Sequence, residues 1–108
     1  SNEAKIELLG VTPELLTEYG PVSEPVARAM ALGAVARSRG AASVSITGVA
    51  GPGGGTVAKP VGLVHFAAVD PGGAVVHVER RFGDIGRDAV RLESVRVALD
   101  LLLQAVTA

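Results

Sequence analysis

A run of glycines between a threonine and a lysine-proline pair is the part of this sequence best suited to chemistry. In Thr47-Gly48-Val49-Ala50-Gly51-Pro52-Gly53-Gly54-Gly55 the side chains are small enough for a ligand to reach the backbone. Amide groups in such a loop can cradle an anion or a developing negative charge. Thr47, with Gly48, Ala50 and Gly51 behind it, can offer a hydroxyl and backbone N–H groups to a substrate or an oxyanion. The loop is not of the Walker type, because no Gly-Lys-Ser/Thr follows at the required spacing. Nor is it a dinucleotide fingerprint, because Lys59-Pro60 leads into a strand and not into a helix. A connection that merely turns the chain is the competing reading, and composition alone does not separate the two.

Arg87 and Arg91 stand four residues apart at the start of a predicted helix, where together they can grip a phosphate. Solvated surface arginines would look the same. His65 and His77 lie on different predicted strands with no nearby ligand spacing, so no metal is expected. Ser23 sits where a helix needs an N-cap, and neither it nor Ser45 lies in a Gly-x-Ser-x-Gly elbow, which makes both poor candidates for a nucleophile. The absence of cysteine excludes thiol nucleophiles and thiolate metal sites, and fits a reducing cytoplasm.

The elements that must position these residues can be read from local signals. Residues 3 to 9 read as the end of a helix stopped by Gly10. Thr12-Pro13-Glu14 combines an N-cap, a proline at the first helical position and an acid near the positive helix end, predicting a short helix to about Tyr19. Ser23-Glu24-Pro25 repeats that logic and opens an alanine-rich helix to about Arg39. Ala42 to Thr47 and Val61 to Val69 read as central strands, the second apolar on both faces. Pro71-Gly72-Gly73 signals a hairpin turn into a more exposed strand where Val76, Val78 and Phe82 alternate with His77, Glu79 and Arg81. From Arg87 on, Leu92, Val95, Leu99, Leu102, Leu103 and Val106 share one helical stripe, predicting a long amphipathic helix whose apolar face either packs on the sheet or meets a second copy.

The resulting fold class is α/β: a three-layer α/β/α sandwich with a mixed sheet, in one domain of 108 residues. An apolar fraction built mostly of Ala and Val suits close packing of helix on sheet. A formal charge of -1 leaves no field for general nucleic-acid or membrane-surface binding. No apolar run approaches the roughly 20 residues of a membrane helix.

The string TGVAGPGGGTVAKPVGLV, residues 47 to 64, resembles the signature of the CinA C-terminal domain family: Thr-Gly, Ala-Gly-Pro, a glycine run, then Lys-Pro-Val-Gly. Other stretches agree in order: Ser1-Asn2 with Lys5 and Leu9-Gly10-Val11, then Gly20-Pro21-Val22-Ser23-Glu24 with Met30-Ala31-Leu32-Gly33, then Phe82-Gly83-Asp84 with Arg87 and Arg91. Two departures stand out. The family's serine-bearing Glu-Ser-Cys-Thr-Gly-Gly-like segment would lie upstream of Ser1, and Ile85-Gly86 look inserted before Arg87.

The resemblance implies hydrolysis of the carboxamide of nicotinamide mononucleotide to nicotinic acid mononucleotide and ammonia, by a serine-based acyl transfer without a cofactor. It implies Lys5 as the base that activates the serine, with Asn2 orienting the substrate or the lysine; Ser1-Asn2 also looks like a tag remnant. Thr47, Gly48, Ala50, Gly51, Arg87 and Arg91 are the implied substrate-binding residues. Residues 1–108 then read as a single CinA C-terminal-type domain lacking its N-terminal segment, and inactive by themselves. A noncatalytic nucleotide-binding or oligomerisation domain of a competence/damage-inducible protein is the alternative. The expected partner is a pyridine nucleotide, with no membrane or direct nucleic-acid binding. The apolar face of the last helix points to a homodimer or higher homo-oligomer.

Overall fold

The computed structural model describes residues 12–38 and 42–107. Lys5, Asn2 and the helix expected to end at Gly10 lie outside them. The described elements run α1 (Pro13–Tyr19), α2 (Glu24–Ser38), β1 (Ser43–Gly48), β2 (Leu63–Val69), β3 (Val75–Arg81) and α3 (Arg87–Thr107). Thr12 caps α1 as its spelling predicts, its Oγ1 accepting from the Leu15 N–H at 3.2 Å with Pro13 in the first turn.

The sheet has the order β1-β2-β3 with β2 in the middle, and α2 and α3 cover opposite faces. This is the expected α/β layering. Where a mixed sheet was expected, both pairings among the described strands are antiparallel. A parallel pair needs a crossover element, and residues 49–62 return from β1 to β2 as a loop without a helix. The turn after β2 is fixed by Asp70, whose Oδ1 accepts from Gly72 N at 2.9 Å and Ala74 N at 3.0 Å.

Every residue of β2 is buried, as a strand apolar on both alternating sets should be. Val64, Phe66 and Ala68 point to α3, where they meet Val90, Ala98 and Leu101. Ala67 and Val69 point to α2, against Ala27 and Ala31. The α2 face of β1 is polar instead. Ser45 Oγ donates to the Ala27 carbonyl at 2.5 Å and Ser43 Oγ to the Ala31 carbonyl at 2.7 Å. Four helical residues and two strand residues advance by nearly the same length, roughly 6–7 Å, so alternate hydroxyls on β1 meet carbonyls one turn apart. Ser23 bonds the Gly20 carbonyl at 2.9 Å at the start of α2. These serines fasten α2.

The last helix turns the expected stripe outward. Leu99 is 61% and Leu103 62% exposed, whereas Leu101 is 7% exposed. The buried face of α3 is Val90, Ser94, Ala98, Leu101 and Ala105. Phe66, Val64 and Val44 already fill the sheet surface beneath, so the helix approaches with the small Ser94, Ala98 and Ala105 between Val90 and Leu101, a face with less volume than the leucine stripe. Both stripes obey the helical period, and sheet volume chooses between them. None of the described helices is long and apolar enough to cross a membrane.

Candidate functional site

The glycine-rich loop is tied at its base and open at its tip. Val49 N–H donates to Leu63 O at 2.9 Å and Gly62 N–H to Val49 O at 2.7 Å, closing the neck where β1 ends and β2 begins. Gly62 has φ +91° and lies so close to the Gly83 backbone that any Cβ would collide with it. The end of β3 is thereby locked to the neck, with Phe82 N–H donating to Gly62 O at 2.9 Å.

Above the neck, the chain turns at Gly51, which is buried with φ +87°. Its carbonyl accepts from Arg87 Nε at 2.9 Å, so the first residue of α3 holds the loop in place. The guanidinium is planar, and its two terminal NH2 groups make no hydrogen bond with the described residues. The backbone N–H groups of Ala50, Gly51, Gly53, Gly54 and Gly55 have no hydrogen-bond acceptor among the described residues. A row of free donors on one loop is what an anion or oxyanion requires.

Between β1 and α3 lies a cleft of about 340 Å³. Ile46, Ala50, Val64 and Val95 make it apolar, Gly48 opens its wall, and Arg91 brings the charge. A Cβ at Gly48 would stand 2.8 Å from both Leu63 O and Val64 Cγ2, so the strand end requires a glycine there. An apolar slot with one cation and adjoining free amides suits a flat ring that carries an anionic group.

The structure thus brings Gly48, Ala50 and Arg91 into one cleft and joins Gly51 to Arg87 beside it. Thr47 is set apart. Strand alternation turns its side chain to the α2 face, where Oγ1 donates to the Pro21 carbonyl at 2.6 Å and the residue is buried. The hydroxyl expected to face a substrate fastens the α1–α2 linker. Lys59, at the far end of the loop, braces the end of α1 next to that linker: its Nζ donates to Tyr19 O at 2.5 Å.

One polar cluster escaped the sequence reading. His65 Nδ1 and His77 Nε2 lie 2.9 Å apart, His77 Nδ1 is 3.3 Å from Glu24 Oε1, and His65 Nε2 is 3.9 Å from Glu79 Oε1. Glu24 also accepts from Arg28 Nε at 2.7 Å. Burial, and after it the neighbouring His77, hold His65 below the ordinary histidine range. The hydrogen bond from Arg28, aided by His77, holds Glu24 below the ordinary carboxylate range. The histidines are diagonal neighbours in the β2–β3 register, with His65 opposite Glu79 and Ala67 opposite His77. Folding the two strands about the Pro71–Gly73 turn would have placed both on one face. Among the described residues no group of three or more His, Asp or Glu side chains could hold a metal ion.

The model of the CinA C-terminal domain family matches residues 1–106. A CinA-like protein of Thermosynechococcus vestitus is 53% identical over 103 residues, which are 94% of this chain and 25% of that protein. One of Mycobacterium marinum is 51% identical over 108 residues, 99% of this chain and 25% of the relative. Among solved structures, the competence/damage inducible protein CihA from Agrobacterium tumefaciens superposes with a TM-score of 0.95 at 51% identity, covering 97% of this chain and 64% of that one. A competence-damaged protein (CinA) superfamily protein from Escherichia coli gives 0.89 at 37% identity, covering 98% and 60%. The chain therefore spans about a quarter of these curated relatives and under two thirds of these solved chains.

Proposed function

The chain belongs to the CinA C-terminal domain family, and on that premise we propose that it supplies the glycine-loop wall and the base of a nicotinamide mononucleotide amidohydrolase. The observation that supports this reading most is the set of N–H groups on Ala50, Gly51, Gly53, Gly54 and Gly55 without an acceptor among the described residues, beside an apolar cleft that holds Arg91. In the proposed reaction a serine from a segment upstream of Ser1 loses its proton to Lys5 and adds to the carboxamide carbon. The oxyanion forms against backbone N–H groups of the loop. Collapse returns the proton to the leaving nitrogen and releases ammonia, leaving an ester that water cleaves to the carboxylate. Arg91 and the free NH2 groups of Arg87 face the nucleotide phosphate.

The test is ammonia release from nicotinamide mononucleotide by the full-length protein. Lys5→Ala should lower kcat by about 10²–10⁴-fold, the range of a lost general base, with the circular dichroism spectrum unchanged. Undiminished turnover by that variant would remove Lys5 from the reaction. No ammonia from the unmodified protein would sink the amidohydrolase reading.

The outward stripe of α3, with Leu92, Val95, Leu99, Leu103 and Val106 all exposed, favours self-association as a second reading. Sedimentation should then show a dimer that Leu99→Lys with Leu103→Lys converts to monomer. A monomer before substitution would refute it.

A further inference from the structure

The His65–His77 pair stands apart from the proposed reaction, on the sheet face opposite the cleft. Its ring centres are 5.2 Å apart. That separation equals the 2.9 Å nitrogen distance plus about one ring radius at each end, so the two nitrogens point at one another end-on. Lone pairs so aligned share a hydrogen; they do not converge on a metal.

End-on contact limits how many protons the cluster can hold. In the neutral pair, His77 Nδ1–H faces the Glu24 carboxylate at 3.3 Å, so its Nε2 accepts and His65 Nδ1 donates. The bare nitrogen is then His65 Nε2, opposite Glu79 at 3.9 Å. One added proton fits there and gives an unbroken chain: Glu24, His77, His65, Glu79. A second has nowhere to go except His77 Nε2, where two N–H groups would confront each other at 2.9 Å.

We propose that this pair is a pH-sensitive latch in the β2–β3 hairpin beneath α2, closed with no more than one proton on the two rings beyond the neutral state and forced open by a second, which displaces His77 from its place under Glu24. The groups that face it are Glu79 on β3, Glu24 on α2, and Lys59 on the glycine-rich loop, with Arg28 behind Glu24 and Arg81 beside Glu79. Burial, His77 and Lys59 oppose a proton on His65, and Glu79 and Glu24 favour it. The position of the latch gives it leverage. Glu24 begins α2 directly after the linker whose Pro21 carbonyl holds Thr47, next to the Tyr19 carbonyl at the end of α1 that holds Lys59, so a displaced His77 pulls on Glu24 and loosens the linker under the glycine-rich loop.

The test uses full-length protein labelled with 15N at histidine. At about pH 7.5 both imidazoles should appear as the Nδ1–H tautomer, the reverse of the form usual for free histidine. Amide exchange in α2, corrected for its intrinsic pH dependence, should accelerate about tenfold or more on acidification to about pH 5, the equivalent of one pKa unit of lost stabilisation. His77→Gln, whose amide can still donate to Glu24 and accept from His65, should cut that acceleration severalfold, leaving only the part that burial of His65 causes. Two Nε2–H tautomers, independent single-step titrations, or the same acceleration in His77→Gln would overturn the latch. The tautomer readout needs no variant, and none of these results depends on amidohydrolase activity.

Discussion

Two glycines of the same loop offer a matched experiment, because an added methyl group meets opposite conditions at each. At Gly51 the backbone has φ +87°, and a Cβ would stand 2.7 Å from Val61 Cγ1. The left-handed backbone costs an L-residue about 1–2 kcal/mol. Relieving the contact also shifts the Gly51 carbonyl from Arg87 Nε, now at 2.9 Å, and a hydrogen bond to a charged donor contributes about 1.5–3 kcal/mol, fewer where water reaches it. Gly51→Ala should therefore destabilise by about 2–3 kcal/mol. At Gly53 nothing lies within 4 Å of a Cβ, and φ is not positive. Gly53→Ala should be neutral, or stabilising by about 0.4–1 kcal/mol through the unfolded chain. The difference, about 3 kcal/mol, exceeds a hundredfold in the folding equilibrium. Urea unfolding followed by circular dichroism suits a chain without tryptophan. Variants that agree within about 0.5 kcal/mol, a typical surface effect, would refute the view that Arg87 and Val61 set the loop.

The inverted stripe of α3 predicts that Leu101→Ala, at a site 7% exposed, costs about 2–5 kcal/mol, while Leu99→Ala, at 61%, stays within about 0.5 kcal/mol of the parent in urea unfolding. Equal losses would mean that the outward face is covered. Stability should fall on acidification. The folded pKa values of His65 and Glu24 both lie below their unfolded ones, so both contributions are present above the unfolded pKa and lost as pH falls through the folded one. Unfolding free energies should thus decline below about pH 6.5 and again below about pH 4.5; a flat profile between pH 7 and 5 would contradict the His65 assignment. Arg91→Ala should raise KM for the nucleotide about tenfold or more with an unchanged urea midpoint, because Arg91 makes no hydrogen bond or ion pair with the described residues. An unaltered KM would take the phosphate away from Arg91.

Much of this architecture is written locally. Thr12-Pro13 and Ser23-Glu24-Pro25 mark helix starts because a capping hydroxyl and a proline without an N–H satisfy or remove donors that the first turn leaves free, whatever the rest of the fold does. The unbroken apolar run of β2 declares a strand covered on both faces, and Gly51 and Gly62 mark turns that a side chain would obstruct. The ordered string from Thr47 to Val64 carried the family. Contacts between distant segments decided the rest. Which stripe of α3 meets the sheet depends on the volume of Phe66 and Val64 on another element. Thr47 serves the linker because its neighbour across the layer is the Pro21 carbonyl, and Arg87 holds the loop because α3 begins beside Gly51. His65 and His77 become one proton-sharing unit only when the hairpin register sets them diagonally. Local rules follow from each residue's own backbone and its near neighbours in sequence. Volume, polar pairing and shared protons belong to pairs of residues, and pairs far apart in sequence are made only by the tertiary fold.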